Sequence, residues 1–264
     1  MPEKNFYRAV IVALIAFAFI AAYSPPAFAL VKSSFISDLS KEEHENRIKE
    51  LTEDINNKPN GIEDLEYQMY LADAYDSRGL NYTALERYKN AVSDITKALK
   101  IFERLDEAAY IDNSYSKKEQ CALTLAHRGE AYSYWGKYDE ALADYNKAVK
   151  LDESTGYFYR GSFYYILGKY TNSIEDFTKS IQLSPPDNDI PYFYRGRAYY
   201  YSRNYERAVA DFTKAIQLDP EVAGTDFFDK GSYYYYRGLC YKALGDNTRA
   251  QADFNKAKEL GYNG

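Results

Sequence analysis

One dipeptide, Arg-Gly, recurs five times in the 264-residue chain, and the same residue pattern follows each copy. Tyrosine stands three residues after the glycine, small residues stand twelve and nineteen after it, and an aromatic residue or isoleucine stands sixteen after it. Successive glycines are 50, 32, 35 and 42 residues apart, so a unit of about 34 residues recurs with insertions. This period is typical of a solenoid of stacked helical hairpins. The five copies are Arg78-Gly79, Arg128-Gly129, Arg160-Gly161, Arg195-Gly196 and Arg237-Gly238.

The third unit, residues 154–187, shows why the pattern predicts paired helices. Tyr157, Gly161 and Tyr164 lie at i, i+4 and i+7, which places them on one stripe of a helix. The sequence Leu167-Gly168-Lys169-Tyr170 then supplies a turn in which glycine can take a left-handed conformation. A second apolar stripe with helical spacing follows the turn and ends at two prolines. Each unit is therefore expected to be a helical hairpin.

These residues resemble the pattern of the tetratricopeptide repeat family. The fourth unit matches the family pattern position by position, with Tyr192, Gly196, Tyr199, Ala208, Phe212, Ala215 and Pro220. The resemblance implies an all-α, right-handed superhelical solenoid of about five helical hairpins over residues 72–264. The repeats are expected at about 72–105, 122–153, 154–188, 189–220 and 231–264. Residues 30–71 are expected to form an N-terminal lead and a capping helix, in which Ser40 and Glu43 form a capping box.

Two residues depart from the commonest form of the repeat. Arginine directly precedes each glycine, and aspartate stands fifteen residues after it in all five units. We predict an Arg–Asp ladder, formed either between the two helices of one unit or between neighbouring units. The alternative is that both side chains are solvated, in which case a pair would contribute only about 0–1 kcal/mol.

The N-terminus is typical of a secretory signal peptide. Lys4 and Arg8 precede an apolar run over residues 9–22, and a small-residue cleavage site follows at Ala27 and Ala29. A membrane span needs about 20 apolar residues, and this run is shorter. We therefore expect residues 1–29 to be removed and the protein to be exported, either to a periplasm or to the extracellular space. The alternative is an uncleaved leader that anchors the chain in the membrane.

Composition and residue chemistry argue against several other functions. The net charge is −6 and no basic patch is visible, so we expect no nucleic-acid partner. Cys121 and Cys240 lie about three repeats apart, which favours two buried thiols over a disulfide. His44 and His127 lie on different elements, and no motif for a cofactor, a metal or a nucleophile appears. We expect no enzymatic activity, no cofactor and no metal, with His127 as a packing or rim residue.

The family resemblance implies that the first helices of the hairpins line a concave groove. This lining is rich in tyrosine, which is enriched at interfaces, so a protein or peptide partner is expected there. One alternative is a glycan or cell-wall ligand that stacks on the rings, and another is that the tyrosines pack on each other or on residues 30–39. Tyr159, Tyr194 and Tyr236 are expected near the rim. The predicted groove residues are Phe158, Ser162, Tyr165, Phe193, Arg197, Tyr200, Tyr201, Tyr235, Leu239 and Lys242.

Overall fold

A computed structural model describes residues 39–57, 64–110, 116–218 and 230–262. The leader at 1–29 and the lead at 30–38 lie outside these ranges. The described residues form eleven α-helices and one short 3-10 helix, without a β-strand, so the predicted all-α solenoid is confirmed. The helices are α1 Lys41–Asn56, α2 Asp64–Ala84, α3 Tyr88–Arg104, α4 Lys117–Tyr134, α5 Tyr138–Leu151, α6 Glu153–Ile166, α7 Tyr170–Leu183, α8 Ile190–Tyr201, α9 Tyr205–Leu218, α10 Lys230–Ala243 and α11 Asn247–Glu259.

Five hairpins follow α1, and they pair α2 with α3, α4 with α5, α6 with α7, α8 with α9, and α10 with α11. In every unit the turn residue seven after the repeat glycine is left-handed. Glycine occupies this position in three units, for example Gly168 with φ 69°. In the first and fourth units Glu86 and Arg203 take φ of 59° and 62°, which costs a residue with a Cβ about 1–2 kcal/mol. The turn geometry is therefore set by the hairpin and not by glycine alone.

Close approach of the two helices explains the repeat glycine. A Cβ placed on Gly79 would lie only 2.4 Å from Cγ1 of Ile95, and one on Gly196 would lie 2.9 Å from the ring of Phe212. The side chain sixteen residues after each glycine fills the space that the missing Cβ leaves. The small residues twelve and nineteen after the glycine are buried at the same crossing, and Ala208 and Ala215 are examples. This crossing forms the core of each unit.

The N-terminal helix α1 begins with the predicted capping box. The Ser40 hydroxyl accepts from the Glu43 backbone N–H at 3.3 Å, and the Glu43 carboxylate accepts from the Ser40 N–H at 2.6 Å. Ile48 and Leu51 are buried where α1 packs against α2. Hydrogen bonding by Ser40 lowers the pKa of Glu43, as expected for an acid at a helix N-terminus.

The described part of the insertion after the first unit packs against that unit. The second helix of the unit, α3, is extended to Arg104, and a 3-10 turn at Glu107–Tyr110 follows it. The buried Tyr110 donates its hydroxyl to the Phe102 carbonyl at 3.2 Å. Lys117 donates to the Leu105 carbonyl at 2.6 Å, which ties the start of the second unit to the end of the first.

Candidate partner-binding groove

The Arg–Asp ladder is present in all five units and joins the two helices of each unit. The arginine Nε donates to the aspartate Oδ2 at 2.6–2.8 Å, and in the last four units Nη2 also donates to Oδ1 at 2.8 Å. The prediction of a ladder within units is therefore confirmed. The pairs are Arg78–Asp94, Arg128–Asp144, Arg160–Asp176, Arg195–Asp211 and Arg237–Asp253.

Each ladder arginine also contacts the element before its own unit. Its Nη1 donates at 2.7–3.2 Å to a threonine hydroxyl or an asparagine carbonyl on the preceding second helix or, for the first unit, on α1. The Arg–Asp pairs themselves lie within units, as the first predicted alternative had it, and the contacts between units are hydrogen bonds to neutral side chains that were not predicted. The five acceptors, in chain order, are Thr52, Thr96, Asn146, Thr178 and Thr213.

The ladder pairs are buried rather than solvated. The arginine side chains are 11–20% exposed and the aspartate side chains only 4–9% exposed. Burial is the strongest influence on Arg128 and opposes its charge, but Asp144 more than offsets this, so the pKa of Arg128 is raised. Tyrosine rings flank the guanidinium, as in the third unit, where Tyr157 and Tyr164 lie 5.4 and 5.9 Å from Arg160. The buried ladder pairs are therefore part of the packed interior of the fold.

The first helices form the inner lining of the array. Each first helix packs directly against the next, from α2 through α4, α6 and α8 to α10, whereas successive second helices contact each other less. The surface that the first helices share is thus the inner curve of the solenoid. Three large apolar side chains project from it, each five residues after the repeat glycine. They are Tyr134, Ile166 and Tyr201, which are 55%, 59% and 45% exposed.

The predicted groove residues separate into two layers. Phe158 and Phe193 lie in core clusters, nearly or fully buried, and support the lining from beneath. Lys242 and Tyr201 are exposed, while the others are half-buried on the lining. The half-buried residues are Ser162, Tyr165, Arg197, Tyr200, Tyr235 and Leu239.

The tyrosines of the lining pack against one another. Tyr165 lies 5.7 Å from Tyr201, and Tyr201 is stacked on Tyr170 at 5.8 Å with 17° between the rings. Tyr200 contacts both Tyr201 at 5.2 Å and Tyr236 at 6.1 Å. The expected mutual packing therefore accounts for part of the tyrosine content, and the result is one continuous aromatic surface across units three to five.

Arg197 lies at the centre of this surface, surrounded by rings from three units. Its guanidinium carbon is 4.9 Å from the ring centroid of Tyr165, 5.1 Å from Tyr236, and 5.7 Å from both Phe193 and Tyr194. Its Nε is buried and has no hydrogen-bond acceptor. Burial most strongly opposes the charge, but the neighbouring tyrosines offset it and the pKa of Arg197 is raised. The guanidinium therefore remains a cation among rings, a favourable cation–π arrangement.

Two of the rings around Arg197 belong to Tyr194 and Tyr236, which the sequence analysis placed near the rim of the groove. Tyr194 stacks on Phe177 at 5.9 Å and Tyr236 stacks on Phe212 at 5.9 Å, so each ring lies on the aromatic core residue of the preceding unit. Tyr159 is nearly fully buried. The rim prediction was therefore wrong, because the position before the ladder arginine faces the preceding unit. The aromatic core residue sixteen after the glycine, on which these rings stack, is the sequence signal that could have indicated this packing.

Histidine and cysteine take packing roles in the described part of the chain. His127 is fully buried and its Nδ1 lies 2.8 Å from Oδ2 of Asp76, which joins α4 to α2. The packing role expected of His127 is confirmed. Cys121 and Cys240 are buried free thiols, as expected. Burial raises the pKa of Cys121 to about 11 and that of Cys240 to about 12.

The described residues show neither a metal-ligand cluster nor a membrane-spanning helix. They contain no group of three or more His, Cys, Asp or Glu side chains placed to hold a metal ion. None of the helices there combines the length and the apolar character that crossing a membrane requires.

Comparison with solved structures places the fold among known helical solenoids. BtubC (BKLC) from P. vanneervenii is similar with a TM-score of 0.64 and 17% identity, over 84% of this chain and 91% of that one. MamA (41-end) from Desulfovibrio magneticus RS-1 is similar with a TM-score of 0.52 and 18% identity, over 72% and 94%. At these identities the likeness concerns the fold alone. No curated protein sequence matches the chain significantly.

Family models described as tetratricopeptide repeat match all five units. The matched residues are 72–104, 122–155, 156–187, 190–222 and 231–260, which together cover more than half of the chain. With the helical hairpins, the repeat glycines and the similar solved structures, these matches show that the chain belongs to the tetratricopeptide repeat family.

Proposed function

We propose that this protein is an exported interaction scaffold that binds an extended segment of a partner protein along its inner groove. The tetratricopeptide solenoid fits a protein-interaction scaffold in general. The observation that supports the groove is the row of exposed apolar side chains on three successive first helices, Tyr134, Ile166 and Tyr201. Large exposed apolar side chains grouped on one surface mark interaction sites, whereas scattered ones do not.

A peptide ligand suits this surface better than a glycan. Sugars stack on open ring faces, but the ring face of Tyr201 is covered by Tyr170, and Tyr200 is surrounded by Tyr201, Tyr205 and Tyr236. What remains accessible includes the exposed surfaces of Tyr134, Ile166 and Tyr201. These match the apolar side chains of a peptide, because tyrosine offers a large rigid contact area at protein interfaces.

The groove can be tested with a random peptide library displayed against the full chain. The groove variant carries Tyr134→Ser, Ile166→Ser and Tyr201→Ser, all at exposed positions. The matched control carries Tyr138→Ser, Leu151→Ser and Leu183→Ser on second helices, where exposures are 49%, 39% and 45%. We expect enriched peptides to lose at least about tenfold in affinity for the groove variant and to retain affinity for the control.

Three results would count against a peptide-binding groove. Equal loss with both variants would mean that the peptides respond to general surface apolarity. Loss with the control alone would move the binding surface to the second helices. If no peptide is enriched and the protein is retained on cell-wall polysaccharide, the glycan alternative is favoured.

Export is a separate part of the proposal and rests on the leader sequence at residues 1–29. It predicts that the mature protein begins at Leu30, after cleavage beyond Ala29. The intact mass of the protein purified from the exported fraction checks this directly. A mass that includes residues 1–29 would support the membrane-anchored alternative.

A further inference from the structure

Arg197 is an exception among the arginines of the first helices. Those helices carry six arginines in the described residues, and five of them form the ladder with an aspartate from their own unit. Arg197 is two residues from the ladder residue Arg195, and no carboxylate of the described residues lies within ion-pairing distance of it. Within the described residues, Arg197 is thus the one first-helix arginine without an acidic partner.

The surroundings of Arg197 hold the charge without satisfying its hydrogen bonds. Rings of Tyr165, Tyr194 and Tyr236 contact the guanidinium, yet its Nε is buried without an acceptor. A guanidinium carries five N–H donors in a fixed planar fork, which matches the two oxygens of a carboxylate. A buried donor without a partner costs about 1–3 kcal/mol, so the Arg197 guanidinium is less well satisfied in the free protein than the ladder guanidinium groups.

The position of Arg197 along the array limits what can deliver such a carboxylate. Arg197 is on α8, with Tyr165 of α6 on one side and Tyr236 of α10 on the other. Neighbouring helices pack about 8–10 Å apart, which an extended chain spans in about three residues. A segment that lies along the groove therefore continues past Arg197 in both directions, so the acid belongs inside the segment and not at its end.

We propose that Arg197 is the specificity-determining residue of the groove and that it binds an internal Asp or Glu side chain of an extended partner segment. The residues on either side of that acid are apolar or aromatic, because Tyr165 and Tyr201 line one side and Tyr236 and Tyr200 the other. This inference rests on the proposed function of the groove and adds the chemistry of the ligand to it. The partner's carboxylate pairs with Arg197 in the way that the carboxylate of Asp211 pairs with Arg195.

Three short peptides test the assignment against the full chain. The first has a glutamate between two tyrosines and blocked ends, the second has glutamine in place of glutamate, and the third has glutamine and a free C-terminal carboxylate. Affinities are measured by titration of ¹⁵N-labelled protein, and the side-chain Nε–H signal of Arg197 reports contact directly. We expect the glutamate peptide to bind at least about tenfold more tightly than the glutamine peptide and to shift that signal.

Two variants separate recognition from folding. Arg197→Met is expected to bind the glutamate peptide no better than the glutamine peptide. Arg207→Met is the matched control, because Arg207 also lies over a ring, 5.7 Å from Tyr199, but is exposed on α9. This control should retain the full preference. The comparison of peptides on the unmodified chain stands even if Arg197→Met fails to fold.

Each other outcome overturns the assignment in a distinguishable way. If glutamate and glutamine peptides bind the groove equally, the groove function stands and the carboxylate site fails. If the peptide with the free C-terminus binds best, a terminal carboxylate replaces the internal side chain. If no peptide shifts the signals of the groove, the proposed function fails and this inference fails with it.

Discussion

Removing the charge of one ladder aspartate tests whether the ladder stabilises the fold. The perturbation is Asp176→Asn in the third unit. Asp176 accepts from Arg160 at 2.7 and 2.8 Å, and Arg160 also donates to Asn146 at 2.7 Å. The amide of the variant keeps the shape of the carboxylate but places donor hydrogens against the donors of the guanidinium.

The burial of the pair sets the expected magnitude. Breaking a fully buried ion pair costs about 3–5 kcal/mol, and an exposed pair is worth about 0–1 kcal/mol. Arg160 is 20% exposed and Asp176 is 8% exposed, which places the pair between these limits. Tyr157 and Tyr164 hold the guanidinium in place, so it cannot turn fully to water. We expect the free energy of unfolding to fall by about 2–3 kcal/mol.

Urea unfolding followed by circular dichroism measures this change. The matched control is Glu50→Gln, which removes an exposed pair between Glu50 and Arg47 at 3.0 Å and should cost no more than about 0.5 kcal/mol. In a variant that also carries Arg160→Met, the cost of Asp176→Asn should largely disappear, because the unpaired guanidinium is gone. A loss for Asp176→Asn similar to that of the control would refute the conclusion that the ladder is buried and stabilising.

Three further predictions follow from backbone geometry and burial. Arg203→Gly should raise the free energy of unfolding by about 0.5–1 kcal/mol, since glycine takes the φ of 62° without strain; urea unfolding checks it, and a destabilised variant would contradict the turn geometry. Gly156→Ala should lower the free energy of unfolding by about 1–3 kcal/mol, because the new Cβ would lie 2.2 Å from the backbone nitrogen of Val149, which cannot move aside. A neutral result in the same assay would show that α5 and α6 are packed less closely. In the folded protein, Cys121 and Cys240 should react with a thiol reagent at pH 8 on the order of a hundredfold more slowly than in the urea-unfolded protein. The reason is that burial raises both pKa values and so lowers the fraction of reactive thiolate. Equally fast reaction in the folded protein would contradict their burial.

Local repetition made the ladder predictable from the sequence. Arginine before the glycine and aspartate fifteen after it recur in every unit, so their pairing could be tested five times within one chain. The acceptors of the preceding element were not predicted, although four of the five stand two residues after a ladder aspartate and only the first, Thr52, lies outside the repeats. A threonine or asparagine at that recurring position, seventeen residues after the repeat glycine, is the sequence signal that could have indicated them.

The groove was harder to predict because it depends on contacts between units. Phe158 and Phe193 have the spacing of lining residues, yet core packing against the neighbouring unit buries them. The surroundings of Arg197 combine rings from three units, and in the sequence it is simply an arginine after a glycine. That no acid of the described residues pairs with it becomes visible only from the positions of its neighbours in the structure.

The second hydrogen bond of each ladder arginine gives the array a direction. Every unit reaches back to an acceptor that precedes it in the chain, from Thr52 for the first unit to Thr213 for the last. A ribosome makes these acceptors before the arginines that use them, so each new hairpin can dock on a completed neighbour as it emerges. Loss of the last hairpin leaves the hydrogen bonds between the other units intact, whereas loss of α1 removes the acceptor of Arg78. Adding or removing a hairpin therefore has different consequences at the two ends of the array.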